Sequence, residues 1–499
     1  MLTFINYFVL TSILLVISLI FYFLRSREAN KKIIDSVRKY NLFKYATGFL
    51  SLISITIYCL NLNLFAIKNL SFLNLTLINL SMSFLVISIV IFLHSLTYKN
   101  DYMIDLDYPS NRTSKRGIIK LGKVMHKDKK KHNFYLSIMG LEAHMFVCGI
   151  TGTGKSNFIQ SFLLNFVKQY EIPFLITEFK GEYHFLQNRI KDLLIIKPGE
   201  NFAINIFDPE GANPEVHAER VFQIFESGGL LEGVEYSPQM KRVFVDILNE
   251  VCKKEEKRNW ESFYDISEHY LSENKGKLSF LEQSIVAIQN QIRRYSIGTL
   301  KHIFVEKSGL NVKDLFKHKV VLDLSSIIRL GGEKEDALFF LNMIMKYLWD
   351  KNISSGSRDY KGIKHITVIE DAQYFTPERL SNRTKLTSYI EDIALLLRGT
   401  GECLISLATR PNISKEILAN CGVLVSFQNH MQKDIMQELL NLDENQKKNL
   451  AMLKKGQSII RVNSIEKPFV MKIPFIKRKW LTDEEITENN QIIIDRILN

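Results

Sequence analysis

Three apolar runs fill most of the first hundred positions, and behind them the pattern changes to short alternations of strand and helix length. Residues 4–24, 45–67 and 73–96 contain no Asp, Glu, Lys or Arg, and each is long enough to cross a bilayer as a helix. Arg25, Arg27, Lys31, Lys32, Arg38, Lys39 and Lys44 crowd the loop between the first two, whereas Lys68 is the only charged residue between the second and third. Positive charge marks the cytoplasmic side, so the N-terminus is expected outside and everything after Lys99 inside. Residues 99–143 alternate over stretches such as Gly117-Ile-Ile-Lys-Leu-Gly122, a small β element with the basic run Lys127 to Lys131 at a hairpin tip.

From residue 144 onward, strand-length apolar runs near 172–178, 319–324, 365–369, 403–409 and 422–426 alternate with helical periodicity over 157–170, 336–349 and 386–397. Strand, loop, helix and strand in that order build a parallel sheet. The chain therefore reads as α/β, with a mostly parallel core over 144–215 and 306–475 and a closing hairpin at 456–472. Residues 216–305 have helical periodicity and little strand signal, an expected helical insertion, and 476–499 form a basic and polar tail with a short helix.

Composition narrows the function classes. In 499 residues, 46% hydrophobic content supports large cores and excludes a disordered or fibrous chain. The net charge of +12 favours an anionic partner, nucleic acid or a lipid surface. Cys59, Cys148, Cys252, Cys403 and Cys421 are scattered without a C-x-x-C pair or a nearby His cluster, which argues against a disulfide framework or zinc site.

The chemistry concentrates where the run ending at Cys148 breaks into Gly149-Ile150-Thr151-Gly152-Thr153-Gly154-Lys155-Ser156-Asn157. This is Gly-x4-Gly-Lys-Ser: a loop with little side-chain bulk closes its amides around a β-phosphate, Lys155 reaches the β and γ groups, and Ser156 meets Mg2+. ATP and Mg2+ are the expected ligands. At the carboxyl end of the next strand, Glu178, Lys180 and Glu182 should lie near the nucleotide, because ligands collect at that edge of a parallel sheet. The apolar run 365–369 ends in Glu370 and Asp371, acids that are costly to bury unless a metal or a reaction uses them. Glu370 is assigned to Mg2+ and Asp371 to water, with Gln373 beside them and Thr409, at the end of the neighbouring strand, as γ-phosphate sensor.

In order and spacing, GITGTGKS, EFKGEY, VIEDAQ, IALLLRGTGECLISLATRP and GQSIIRV resemble the HerA/FtsK superfamily of ring-forming DNA-pumping ATPases. The resemblance covers roughly 118–473. It implies a RecA-like P-loop ATPase core, a small β-barrel before the phosphate loop, a homo-oligomeric, hexameric ring, and an arginine reaching the neighbour's nucleotide, with Arg398 the first candidate and Arg410 the second. Three departures stand out: Asp371 replaces the usual Glu, Thr409 runs into Arg410-Pro411 without an intervening Gln, and Leu395 to Leu397 replace more polar residues. With three spans ahead of such a core, as in conjugative coupling proteins, the expectation is a multi-pass protein of a prokaryotic cell membrane that moves DNA by ATP hydrolysis. The alternative is a membrane ATPase for a protein client, or a switch for a partner nuclease or transfer machinery. There is no helix-turn-helix signature or zinc finger to read bases, so DNA would be held through its phosphates.

Overall fold

In the computed structural model, strand β3 (Met145–Cys148) is buried at every position, and its side chains feed two different cores. Met145 and Val147 join one apolar layer, Phe146 and Cys148 the other. Such two-sided burial marks a central parallel strand. The structure describes residues 104–227, 238–304, 310–355, 362–376, 391, 395 and 397–498. The three apolar N-terminal spans and nearly all of the helix expected over 386–397 lie outside the described residues. Among the described residues no helix is long and apolar enough to cross a membrane.

The remaining strands are β1 (Ile119–His126), β2 (Lys129–Leu136), β4 (Phe174–Glu178), β5 (Leu193–Ile196), β6 (Lys319–Asp323), β7 (His365–Ile369), β8 (Glu402–Ala408), β9 (Val423–Ser426), β10 (Gln457–Val462) and β11 (Phe469–Lys472). They form one sheet in the order β2-β1-β11-β10-β9-β3-β8-β7-β4-β6-β5. From β9 to β5 every pairing is parallel, and from β9 to β2 every pairing is antiparallel. Residues ahead of the phosphate loop therefore continue the main sheet as a hairpin through the β1·β11 pairing, where the resemblance implied a separate small barrel. The hairpin turn is only Lys127 and Asp128, both at positive φ, the conformation a two-residue connection requires. Lys129, Lys130 and Lys131 belong to β2 itself, so the basic run is not confined to a hairpin tip: it charges the sheet's outer edge, which discourages pairing with another chain.

Helix α1 (Lys155–Phe166) packs Phe158, Ile159, Phe162, Leu163 and Phe166 onto one face of the sheet. Over the other face lie α2 (Pro214–Ser227), α3 (Pro238–Lys253), α4 (Trp260–Asn274), α5 (Leu281–Ser296) and α6 (Lys334–Ser355). Phe225 makes ring contacts with Phe244, Tyr295 and Phe339, each buried ring contributing on the order of 2–3 kcal/mol. The final helix, α7 (Asp483–Leu498), is no free tail: Ile486, Asn490 and Ile493 are buried. Asn490 accepts from the Ile195 amide (3.0 Å) and donates to the Ile195 carbonyl (2.7 Å), satisfying backbone groups of the edge strand β5.

One buried histidine makes this fold acid-sensitive. His217 on α2 is fully buried with Nε2 2.7 Å from the Ile206 carbonyl, and burial, reinforced by the charge of Lys346, pushes its pKa down to about 3. The unfolded chain takes the proton near pH 6.5 while the folded chain refuses it, so stability present above that pH is lost as pH falls toward 3. Urea midpoints should drop between pH 6.5 and 4, and His217→Gln should flatten that limb. An identical limb in the variant would assign the sensitivity elsewhere.

Candidate active site

Parallel pairing brings the carboxyl ends of β3, β8, β7, β4 and β6 to one edge, with Cys148 opposite Ala408, Ile369 opposite Thr177 and Ser406, and Glu178 opposite Asp323. From β3 the chain turns through Gly149 at φ +152°, where a Cβ would come within 2.6 Å of the Phe427 Cβ. Gly152, at the crest, has φ +80° and open space around it, a conformation that L side chains rarely adopt. The loop is tied at both shoulders. The Ile150 amide donates to the Gln428 carbonyl (3.0 Å), and the Gly456 amide to the Thr153 carbonyl (2.8 Å).

Lys155 opens α1 and folds back into the loop, its Nζ donating to the carbonyls of Gly149 (2.7 Å) and Ile150 (3.5 Å). Burial lowers its pKa from the ordinary lysine value. Ser156 follows, close enough to Glu370 at the end of β7 to hold that carboxyl's pKa down against burial. Glu370 is 4% exposed; burial raises its pKa, and hydrogen bonds from Tyr183 and Ser156 partly oppose that rise. Tyr183, itself fully buried, donates its hydroxyl to Glu370 Oε1 at 2.6 Å. A carboxylate desolvated in this way, beside a serine hydroxyl and a phosphate loop, fits Mg2+. Ser156 and Glu370 would hold the ion, which offsets charge on the β and γ phosphates when bound.

Asp371 sits at φ +50°, a left-handed conformation that turns its side chain out of the strand direction. Lys180 Nζ is 2.9 Å from Oδ2, and Gln373 Nε2 donates to Oδ1 at 3.2 Å. Gln373 Oε1 in turn accepts from the Thr409 amide at 3.3 Å. A glutamine thus links the acidic pair to the end of β8, although none follows Thr409 in sequence. Against the penalty of burial, the Asp371 contact raises the Lys180 pKa.

Not every expected residue faces the phosphate loop. Glu178 is fully buried and is used within its own turn, accepting from the amides of Glu182 (2.7 Å) and Tyr183 (3.3 Å). Burial, with the charges of Asp323 and Glu370, raises its pKa well above the ordinary value. It shapes the turn that delivers Tyr183 to Glu370. Lys180, Glu182, Glu370, Asp371 and Thr409 do line one cavity of about 1030 Å³ with Gly152 and Gly154 to Asn157. Arg410 is exposed on a second cavity beyond Asp371, alongside Arg329 and Lys334. Arg398 lies in the turn Leu397–Thr400 that leads into β8. The motif pattern does not show Tyr183 as a partner of Glu370, nor that His184 Nε2 lies 3.4 Å from an Asp323 carboxyl oxygen and 3.6 Å from one of Glu178. The EFKGEY stretch contained the tyrosine, but only the turn's geometry shows where it points.

Residues 119–348 match the family model described as the central domain of helicase HerA. The chain is similar, at 23% identity over 407 residues and 76% of each chain, to the DNA double-strand break repair helicase HerA of Sulfurisphaera tokodaii. It is also 24% identical over 355 residues to a probable helicase of Methanocaldococcus jannaschii, covering 66% of this chain and 65% of that one. Among solved structures, VirB4 of Thermoanaerobacter pseudethanolicus shares the fold at TM-score 0.53 and 15% identity, over 72% of this chain and 97% of that one. The plasmid coupling protein TrwB in complex with ADP and Mg2+ does so at TM-score 0.53 and 10% identity, over 75% and 94%. With its phosphate loop, its buried acid and a stretch similar to HerA's central domain, the chain is a P-loop ATPase that uses ATP and Mg2+.

Proposed function

We propose that this protein is a membrane-anchored, ATP-driven DNA translocase working as a homo-oligomeric ring, with its ATPase core in the cytoplasm of a prokaryotic cell. The observation that carries the reading is the coincidence of Lys155, Ser156 and Glu370 at one sheet edge within a core matching HerA's central domain. The HerA relative is named as a DNA double-strand break repair helicase, and the TrwB neighbour as a plasmid coupling protein, which supports DNA as the client. The net charge of +12 suits a polyanion held through its backbone. The three apolar spans at 4–24, 45–67 and 73–96 support the anchor. Within a ring, Arg398 and Arg410 are the residues assigned to reach a neighbour's nucleotide.

The test is ATP hydrolysis by the full chain in detergent, with and without double-stranded DNA, at low and high salt. Stimulation by DNA that fades as salt rises is the expected result, because counterion release makes backbone binding steeply salt-dependent. Hydrolysis indifferent to DNA, in preparations shown to form rings, would overturn the DNA reading in favour of a protein client.

A further inference from the structure

The segment after β11 runs beside the phosphate loop and leaves two aromatic rings exposed on the same cavity: Trp480, whose ring packs against Phe185 and Arg478, and Phe475. Asn157, the residue after Ser156, donates from Nδ2 to the Pro474 carbonyl (2.9 Å) and accepts at Oδ1 from the Ile476 amide (3.0 Å). One side chain of the nucleotide loop's own helix therefore grips the backbone on both sides of Phe475. Ile473 and Ile476 are buried at 3% and 8% exposure, whereas Phe475 between them is 79% exposed. Leaving a phenylalanine in water forgoes the gain of burying its ring, and here the backbone around it is fixed rather than free to tuck it away.

The same cavity that holds the phosphate loop is also lined by Ile473, Pro474 and Phe475. Glu370, Asp371 and Thr409 line it too, where the γ-phosphate and the attacking water belong. A nucleoside triphosphate has one anionic end and one flat, apolar-faced end. With the phosphates held at Lys155, what remains is a planar ring that needs a flat, apolar face on the cavity wall near the loop. The exposed, backbone-clamped Phe475 matches that ring in shape and polarity, since aromatic faces stack on any base.

We propose that Phe475 is the nucleobase subsite of this ATPase, stacking on the purine ring while Asn157 sets its distance from the phosphate loop. The inference rests on the ATPase reading of that loop, and its test separates the two. Equilibrium binding of ATP and of inorganic tripolyphosphate is compared in the full chain, Phe475→Ala, Phe475→Tyr and Lys155→Ala. Loss of the ring should weaken ATP by about 10-fold or more, in keeping with base–aromatic stacking, and leave tripolyphosphate unchanged. Phe475→Tyr, which keeps the ring face, should bind ATP as the parent does. The proposal is overturned if Phe475→Ala binds ATP normally, or if it loses ATP and tripolyphosphate in equal measure, as a general collapse of the loop would produce. If Lys155→Ala holds both ligands as tightly as the parent, the phosphate-loop reading fails and the base subsite fails with it.

Discussion

Glu370→Gln should reduce ATP turnover by about a thousandfold while ATP still binds, a loss of the order produced by removing a preorganised charge at a reacting centre. The amide is nearly isosteric, and its oxygen can still accept from the Tyr183 hydroxyl that lies 2.6 Å from Glu370 Oε1. What disappears is the negative charge that the buried position exists to present beside Ser156. Because Lys155 and the loop amides are untouched, nucleotide affinity should change by only a few-fold, giving a protein that binds and stalls. Tyr183→Phe provides a graded companion: without the hydroxyl the carboxylate keeps its charge but loses its anchor, and kcat should fall by roughly 10-fold with KM little altered. Single-turnover hydrolysis together with equilibrium ATP binding checks both. Near-normal turnover in Glu370→Gln would move the metal-holding role to another acid, with Glu182 next in line on the same cavity.

The fates of particular residues show what the sequence could reveal. The central strands were legible because continuous apolar runs of strand length have few other uses: β7 was expected at residues 365–369 and is found at His365–Ile369. The four-residue β5, Leu193–Ile196, went unnoticed because so short an apolar run looks the same in a strand, a turn of helix or a loop. The phosphate loop announced itself through spacing alone. Its supports did not, since Phe427 beneath Gly149 and Gly456 beside Thr153 come from strands and turns nearly 300 residues away. The missing glutamine after Thr409 illustrates the same limit. Along the chain, Thr409 runs straight into Arg410-Pro411, a departure from the resembled pattern, yet in the fold Gln373 spans from Asp371 Oδ1 to the Thr409 amide. Its placement depends on the left-handed turn at Asp371, which leads into the short turn Ala372–Tyr374, and no hydrophobic pattern encodes that turn. Glu178 was misplaced for a related reason. A strand-end acid is equally suited to a ligand or to its own turn, and the amides of Glu182 and Tyr183 decide for the turn.

Lys155→Ala should abolish turnover and weaken ATP binding by at least about 100-fold, and the geometry of the loop explains why the two losses come together. In the structure the ammonium is held by the Gly149 and Ile150 carbonyls, so its positive charge is already stored within the loop. Binding a triphosphate exchanges those neutral acceptors for anionic oxygens, turning an ion–dipole contact into an attraction between opposite charges. The burial that lowers the lysine's pKa leaves the ammonium poorly solvated, which increases what it gains from a phosphate. Removing the side chain deletes that gain and frees the two carbonyls it had been satisfying, so the loop should also lose order around Gly149. Lys155→Arg separates charge from fit: it keeps the cation, but a branched guanidinium cannot sit between carbonyls only six and five residues back in a tight loop. It should bind ATP more weakly than the parent and turn over no faster than the alanine variant. Binding titrations with ATP and hydrolysis assays on both variants decide the matter. Full turnover in Lys155→Arg would show that a positive charge anywhere near the loop is sufficient, and would remove the lysine's fitted position from the account of this site.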